Sequence, residues 1–205
     1  VCGIISFENL HERGIMSEEI KDIPIVKKNW IKKPTWRNIG LLIIVFCLYY
    51  FAKPTKLSFI IGGFMVITGE LIRLWAAGYL MKNKKLVVVG PYAYLRDPLY
   101  LGSLLILSGL SVTARNWYVL AIVLIGFFGF YLPRKIKIET ARLENFFGEE
   151  YVEYKNNVKS IIPRLTPFRD TGEKWEFKQI FHNSEHATGL VVLLAWLAFY
   201  YFLKR

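Results

Sequence analysis

The sequence predicts an all-α, polytopic integral membrane protein with about five apolar helices in hairpins and a cytosolic amphipathic helical segment. Three observations carry this prediction. Of the 205 residues, 54% are hydrophobic and 21% charged, with positive mean hydropathy, whereas an ordinary soluble domain carries ~25% charge. The apolar residues gather into runs separated by short polar breaks. The basic residues behind the net charge of +11 flank those runs instead of forming one patch, which points to anionic lipid headgroups as partners and away from nucleic acid.

Residues 1–38 are polar, with Trp30 and Trp36 among Lys27, Lys28, Lys32, Lys33 and Arg37, a composition suited to a membrane surface. No cleaved signal peptide is expected from the opening residues, and Met16 offers an alternative start. Cys2 and Cys47 are too few and too far apart for a disulfide framework or a zinc site. The first apolar run, Ile39 to Ala52, is closed by Lys53-Pro54, and a second from Leu57 to Leu80 completes a helical hairpin. Inside the second run Glu70 and Arg73 share a helix face, either as a functional intramembrane pair or as a mutually satisfied tie to neighbouring helices. Gly62, Gly63 and Gly69 suit close helix packing.

After a polar linker, Lys82 to Lys85, two further runs, Leu99 to Ala114 and Trp117 to Leu132, flank a tight turn at Arg115-Asn116. Each is ~24 Å long as a helix, short of the ~30 Å hydrocarbon core, so crossing requires bilayer thinning or snorkelling. Ile136, Leu143, Phe147, Tyr151, Tyr154 and Val158 then recur at helical spacing and predict an amphipathic helix, kinked at Gly148 and ended by Pro163. The last run is Ala187 to Leu203, with Asn183 or Ser184 as its N-cap. His182 and His186 are four apart, but no cysteine or carboxylate cluster accompanies them, so no metal site is assigned. The basic residues favour a cytoplasmic N-terminus and a cytoplasmic loop at Gly90. The organisation expected is an interfacial segment at 1–38, a membrane core at 39–168, and a linker with a C-terminal transmembrane helix at 169–205.

The densest motif is GPYAYLRDPLYLG, from Gly90 to Gly102. Gly90-Pro91 ends what precedes it, and Asp97-Pro98 suits a helix start with Asp97 as N-cap and Pro98 in the first turn. Between these pins, Arg96 and the hydroxyls of Tyr92, Tyr94 and Tyr100 stand beside a helix N-terminus, an arrangement able to hold a carboxylate or phosphate. The same residues also suit plain anchoring at headgroup level. Further on, Lys135, Glu139 and Arg142 share one flank of the amphipathic helix with Arg134 at its membrane exit, which by spacing alone reads more readily as a solvated charge face than as a site.

GPYAYLRDPLYLG, followed by a short hairpin, ETARLENFFGEEYVEY at Glu139 to Tyr154 and IIP at Ile161 to Pro163, resembles the isoprenylcysteine carboxyl methyltransferase family and its phospholipid methyltransferase relatives. The resemblance runs from about Gly69 to Pro167. It implies a membrane-embedded, S-adenosyl-L-methionine-dependent methyltransferase acting on a lipophilic acceptor that enters from the lipid, such as an isoprenylcysteine-like carboxylate or a lipid amine. No obligate protein partner is inferred. The cofactor-binding set it implies is Gly90, Tyr92, Arg96, Asp97, Pro98, Tyr100, Gly102 and Glu139, with Arg96 for the methionyl carboxylate and Glu139 for its ammonium. Glu139, Arg134 and Lys135 are the catalytic candidates, Arg134 or Lys135 to pin a substrate carboxylate, with Glu139 or Asp97 as the base for an amine or thiol. Two positions depart from the family pattern: Asp97 stands where histidine is usual, and Thr140 follows Glu139 where a glutamate pair is frequent. Both bear on the acceptor more than on the cofactor. A non-enzymatic membrane scaffold or lipid-binding protein that kept the fold is the competing class.

Overall fold

The computed structural model describes residues 48–80, 86–169, 174–183 and 185–204, and every described regular element is helical. Expectations for the N-terminal segment, the start of the first apolar run, the Lys82–Lys85 linker and the Ser184 cap lie outside these residues. Helix α1 spans Lys56–Tyr79, α2 Pro98–Thr113, α3 Trp117–Ile125, α4 Leu132–Asn157, α5 Phe177–His182 and α6 Glu185–Lys204. The protein is an all-α integral membrane protein. The three helical stretches Lys56–Tyr79, Trp117–Asn157 and Glu185–Lys204 are long and apolar enough to cross a bilayer, with α2 a shorter apolar helix among them.

Proline at position 54 cannot continue a helix, and Thr55 restarts the chain with a reciprocal cap: its hydroxyl accepts from Ser58 N at 3.2 Å while Ser58 Oγ accepts from Thr55 N at 2.9 Å. The resulting α1 runs antiparallel to α2, and two glycine pairs hold the axes together. A Cβ on Gly62 would stand 2.5 Å from Gly109 O, and one on Gly69 would stand 2.7 Å from Gly102 O, so backbone meets backbone at two levels seven residues apart. At the far end Ser58 Oγ donates to Thr113 O at 3.2 Å, and Asn116 caps α3 by accepting from Val119 N at 3.1 Å.

The fourth apolar run and the amphipathic helix, expected as separate elements, form one 41-residue helical stretch, Trp117–Asn157. A π-helical turn over Gly126–Tyr131 lies directly before Pro133. Proline removes one backbone donor and crowds the carbonyl of the preceding turn; the wider π turn absorbs this without ending the helix. Gly148 kinks the stretch as expected, at φ 52° and ψ −130°. The helix then ends at Asn157 rather than at Pro163, because Val158 is fully buried and extended and turns the chain back along the Gly90 loop.

Helix α6 lies along α1. Trp196 covers Gly63 and stacks on Phe59 with ring centroids 4.5 Å apart, and Phe199 stacks on Tyr49 at 4.5 Å. Asn183, one of the two residues expected to cap α6, ends α5 instead and donates its side-chain amide to Ala77 O at 3.0 Å and Leu80 O at 3.2 Å. Glu70 and Arg73 acquire a third member from α6: Arg73 Nη2 pairs with buried Glu185, its Nε lies 3.9 Å from Glu70, and its Nη1 donates to Ser103 Oγ on α2 at 2.6 Å. One guanidinium thus ties α1, α2 and α6 together below the loop.

Candidate functional site

The site forms at the end of the bundle where α1 stops and α2 begins. Leu86 to Val89 enter as buried chain outside any helix, extended at Val89, and Gly90 turns it at φ 59° with the Tyr79 ring 2.4 Å from where a Cβ would stand. Any side chain here would meet both that ring and an unfavourable backbone region, which is why glycine precedes the turn. A 3-10 turn over Gly90–Ala93 follows, closed by Tyr92 N to Val89 O at 3.1 Å and Tyr94 N to Pro91 O at 3.1 Å.

The end of α4 and the chain after it hold this loop from the other side. Tyr154 donates its hydroxyl to Tyr92 O at 2.8 Å. Arg96 N donates to Lys159 O at 2.9 Å, Asp97 N to Ser160 O at 3.0 Å, Arg164 N to Tyr94 O at 2.9 Å and Phe168 N to Ala93 O at 3.0 Å. Tyr92, Tyr151, Tyr154 and Val158 share one buried cluster with Leu86 to Val89, and Leu143 and Phe147 pack against it. From Leu143 onward the apolar stripe read from the sequence is therefore the face that grips the loop, while Ile136 lines the neighbouring cleft.

Asp97 occupies the N-cap position of α2 with Pro98 in the first turn, yet its side chain makes no cap bond. The carboxylate instead takes the Ser160 hydroxyl on Oδ2, and Arg96 Nε lies 3.7 Å from the same oxygen. Burial pushes the Asp97 carboxyl above its ordinary range, opposed by the Ser160 hydrogen bond and the Arg96 charge and reinforced by Glu139. On α4, Glu139 Oε2 accepts the Tyr100 hydroxyl at 3.2 Å, and Lys135 Nζ lies 5.9 Å above the same ring, which meets Tyr131 edge-on at 5.8 Å.

The neighbouring face of α4 borders an open cleft of about 530 Å³ lined by Arg96, Lys137, Thr140, Glu144, Lys155 and Ser160 among others. Glu144 is paired with Lys155, so positive charge dominates the walls. Glu139 and Thr140 thus point to two sides of one helix, toward Tyr100 and toward the cleft.

Of the residues singled out from the sequence, the fold brings Arg96, Asp97, Tyr100, Lys135 and Glu139 together. Arg134 lies exposed on α4. Tyr92 and Pro98 are buried, Tyr92 in the core cluster, and Gly102 faces α1, where a Cβ would come 2.6 Å from Arg73 Cγ. Ser160, Lys155 and Lys159 were not singled out; no motif marks them, and only the return of the chain along the loop brings them to the cleft. Among the described residues no group of three or more histidines, cysteines and carboxylates converges, and His186 packs on the Phe181 ring at 4.9 Å.

A family model described as phospholipid methyltransferase matches residues 57–150. Protein-S-isoprenylcysteine O-methyltransferase of Saccharomyces cerevisiae is 34% identical over 128 residues, 57% of this chain and 53% of that protein. Over these residues the chain is similar to isoprenylcysteine carboxyl methyltransferases and to phospholipid methyltransferases. Protein-S-isoprenylcysteine O-methyltransferase B of Arabidopsis thaliana is 35% identical over 114 residues, 48% of this chain and 56% of that protein. Cobalt-zinc-cadmium resistance protein CzcN of Cupriavidus metallidurans is 30% identical over 141 residues, 65% of this chain and 64% of that protein. The chain thus spans between about half and two thirds of the length of the relatives it matches. The methyltransferase-family match takes in α1, the Gly90 loop, α2, α3 and most of α4, while Ser160, α5 and α6 lie beyond it.

Proposed function

We propose that this chain is an S-adenosyl-L-methionine-dependent methyltransferase whose acceptor is lipophilic and membrane-resident, an isoprenylcysteine-like carboxylate or a lipid amine, with the site facing the cytoplasm. The observation that carries the reading is the convergence of Arg96, Tyr100 and Glu139 from two elements at the end of an apolar bundle, with Tyr100 donating to Glu139 at 3.2 Å. A methionyl zwitterion needs one cation and one anion, and the site offers Arg96 for its carboxylate and Glu139 for its ammonium. The adjoining cleft of about 530 Å³, lined by Arg96 but not by Glu139, falls in the range of small-molecule sites and supplies space beside this donor set.

When bound, the cofactor supplies a methyl group activated by a sulfonium. The protein's share of the work is alignment and exclusion of water, since such a displacement needs little covalent help. Tyr100 presents an aromatic face attractive to a cation and holds the Glu139 carboxylate in place. Lys135, above that ring, stands where an acceptor carboxylate can be pinned, with Arg134 one residue nearer the membrane. For an amine acceptor, Glu139 is the base within reach.

Calorimetric titration of the detergent-purified full chain with S-adenosyl-L-methionine and S-adenosylhomocysteine, alongside Glu139→Ala, tests the reading. The expected result is binding by the wild type and at least a roughly tenfold loss in the variant, as for a charge-assisted contact. No binding by folded wild type would instead favour a scaffold or lipid-binding role; equal affinity in Glu139→Ala would remove Glu139 from the site.

A further inference from the structure

We propose that Ser160 is a positioning residue that fixes Asp97 and, through it, the Arg96 guanidinium against the cleft; this rests on the cofactor reading above. Ser160 belongs neither to the loop motif nor to the residues matched by the family model. It is nevertheless bound to Asp97 twice, through its carbonyl, which accepts Asp97 N at 3.0 Å, and through its hydroxyl, which donates to Asp97 Oδ2. The first contact fixes the Asp97 backbone against the returning chain, and the second restrains its carboxylate.

The same carboxylate oxygen is the one nearest Arg96 Nε, and both Arg96 and Ser160 line the cleft. Asp97 also faces Glu139, Tyr151 and Tyr154 on α4, and Lys159 precedes Ser160 on the returning chain. Against a neighbouring carboxylate and two phenol rings, the ionised form of Asp97 depends on the Ser160 hydroxyl and on Arg96. Val158, fully buried and bonded through its N–H to Tyr154 O at 2.8 Å, fixes the position from which Ser160 reaches back. Losing the hydroxyl would leave Asp97 without its donor and Arg96 with a less steady partner, loosening the cation offered to an anionic group in the cleft.

The sign of the pH effect follows. Asp97 is held above its ordinary range by burial, so its ionisation weighs against the folded state once pH rises through that range. Removing the Ser160 donor raises the folded-state value further, and the stability lost is then greatest at neutral pH and absent at pH values below the unfolded-state value of ~3.9.

The experiment compares wild type, Ser160→Ala, Ser160→Thr, Asp97→Asn and the double variant Asp97→Asn/Ser160→Ala in detergent. Melting temperature is read between pH 3.5 and 7.5, and S-adenosylhomocysteine affinity at each pH where the protein is folded. The expected result is a melting deficit for Ser160→Ala that is larger at pH 7.5 than at pH 3.5, its disappearance in the Asp97→Asn background, and rescue by Ser160→Thr. Affinity should fall roughly tenfold at neutral pH, with the acid-side loss of binding moved to higher pH. An equal deficit at both pH values would reduce Ser160 to packing and overturn the proposal, as would unchanged affinity in Ser160→Ala when wild type binds. If folded wild type binds no cofactor, the functional reading fails, while the melting comparison still decides whether Ser160 holds Asp97.

Discussion

Replacing Gly102 by alanine is the most informative perturbation, because it separates helix packing from ligand contact at one residue. The new Cβ would stand 2.7 Å from Gly69 O and 2.6 Å from Arg73 Cγ. Relief to an ordinary contact of 3.4 Å requires α1 and α2 to part by about 0.7 Å, or Arg73 to move. Arg73 is poorly able to yield, since its guanidinium is bound to Ser103 and Glu185. Overpacking of this kind costs about 1–3 kcal/mol, which for a chain of this size lowers the melting temperature by roughly 2–12 °C. Gly126→Ala is the matched control, a helical glycine with no atom within 4 Å of the added Cβ, and it should be neutral or slightly stabilising. Thermal unfolding of both variants in one detergent, monitored by circular dichroism, makes the comparison. A Gly102→Ala protein as stable as Gly126→Ala would refute the packing argument, and a selective loss of cofactor affinity at full stability would return Gly102 to the loop's binding set.

Two further outcomes test other parts of the fold. Arg73→Gln leaves the buried Glu185 and the neighbouring Glu70 without their cation and should cost about 3–5 kcal/mol by thermal or denaturant unfolding, part of it recovered in Arg73→Gln/Glu185→Gln; no loss would mean that the ion pair does not anchor α6. Gly148→Ala adds a Cβ with nothing within 4 Å, so its effect is backbone strain alone at φ 52°, about 1–3 kcal/mol; an unchanged melting temperature would show that the kink relaxes freely.

Much of the fold was legible in the sequence because lipid leaves the backbone few choices. Apolar runs of sufficient length must be helical there, and the second and last runs coincide with α1 and α6 to within a few residues. The kink at Gly148 was legible for a similarly local reason, since a glycine beside two glutamates interrupts a regular stripe. Other features depended on partners distant in the chain. Pro133 looks like a terminator until the preceding π turn is seen to absorb it, and Pro163 looks like the end of a helix that Val158 has already turned.

For the candidate site the division is sharper. The loop motif by itself picked out Arg96, Asp97 and Tyr100, because a turn and a helix start are local properties, whereas Glu139 was singled out through the family resemblance. Sequence could not reveal that Tyr100 and Glu139, 39 residues apart, share a hydrogen bond. Nor could it show that Asp97 turns from its own helix to Ser160, 63 residues away, or that Glu70 and Arg73 are joined by Glu185 from the far end of the chain. Periodicity determines which face a helix buries, and so the sequence by itself determined where the apolar helices lie, where the loop turns and which polar residues that loop carries. Which side chains meet across those faces depends on axis separation and on the path of the returning chain, and only the tertiary structure, with its glycine contacts and its strand of loop-to-loop hydrogen bonds, decided that.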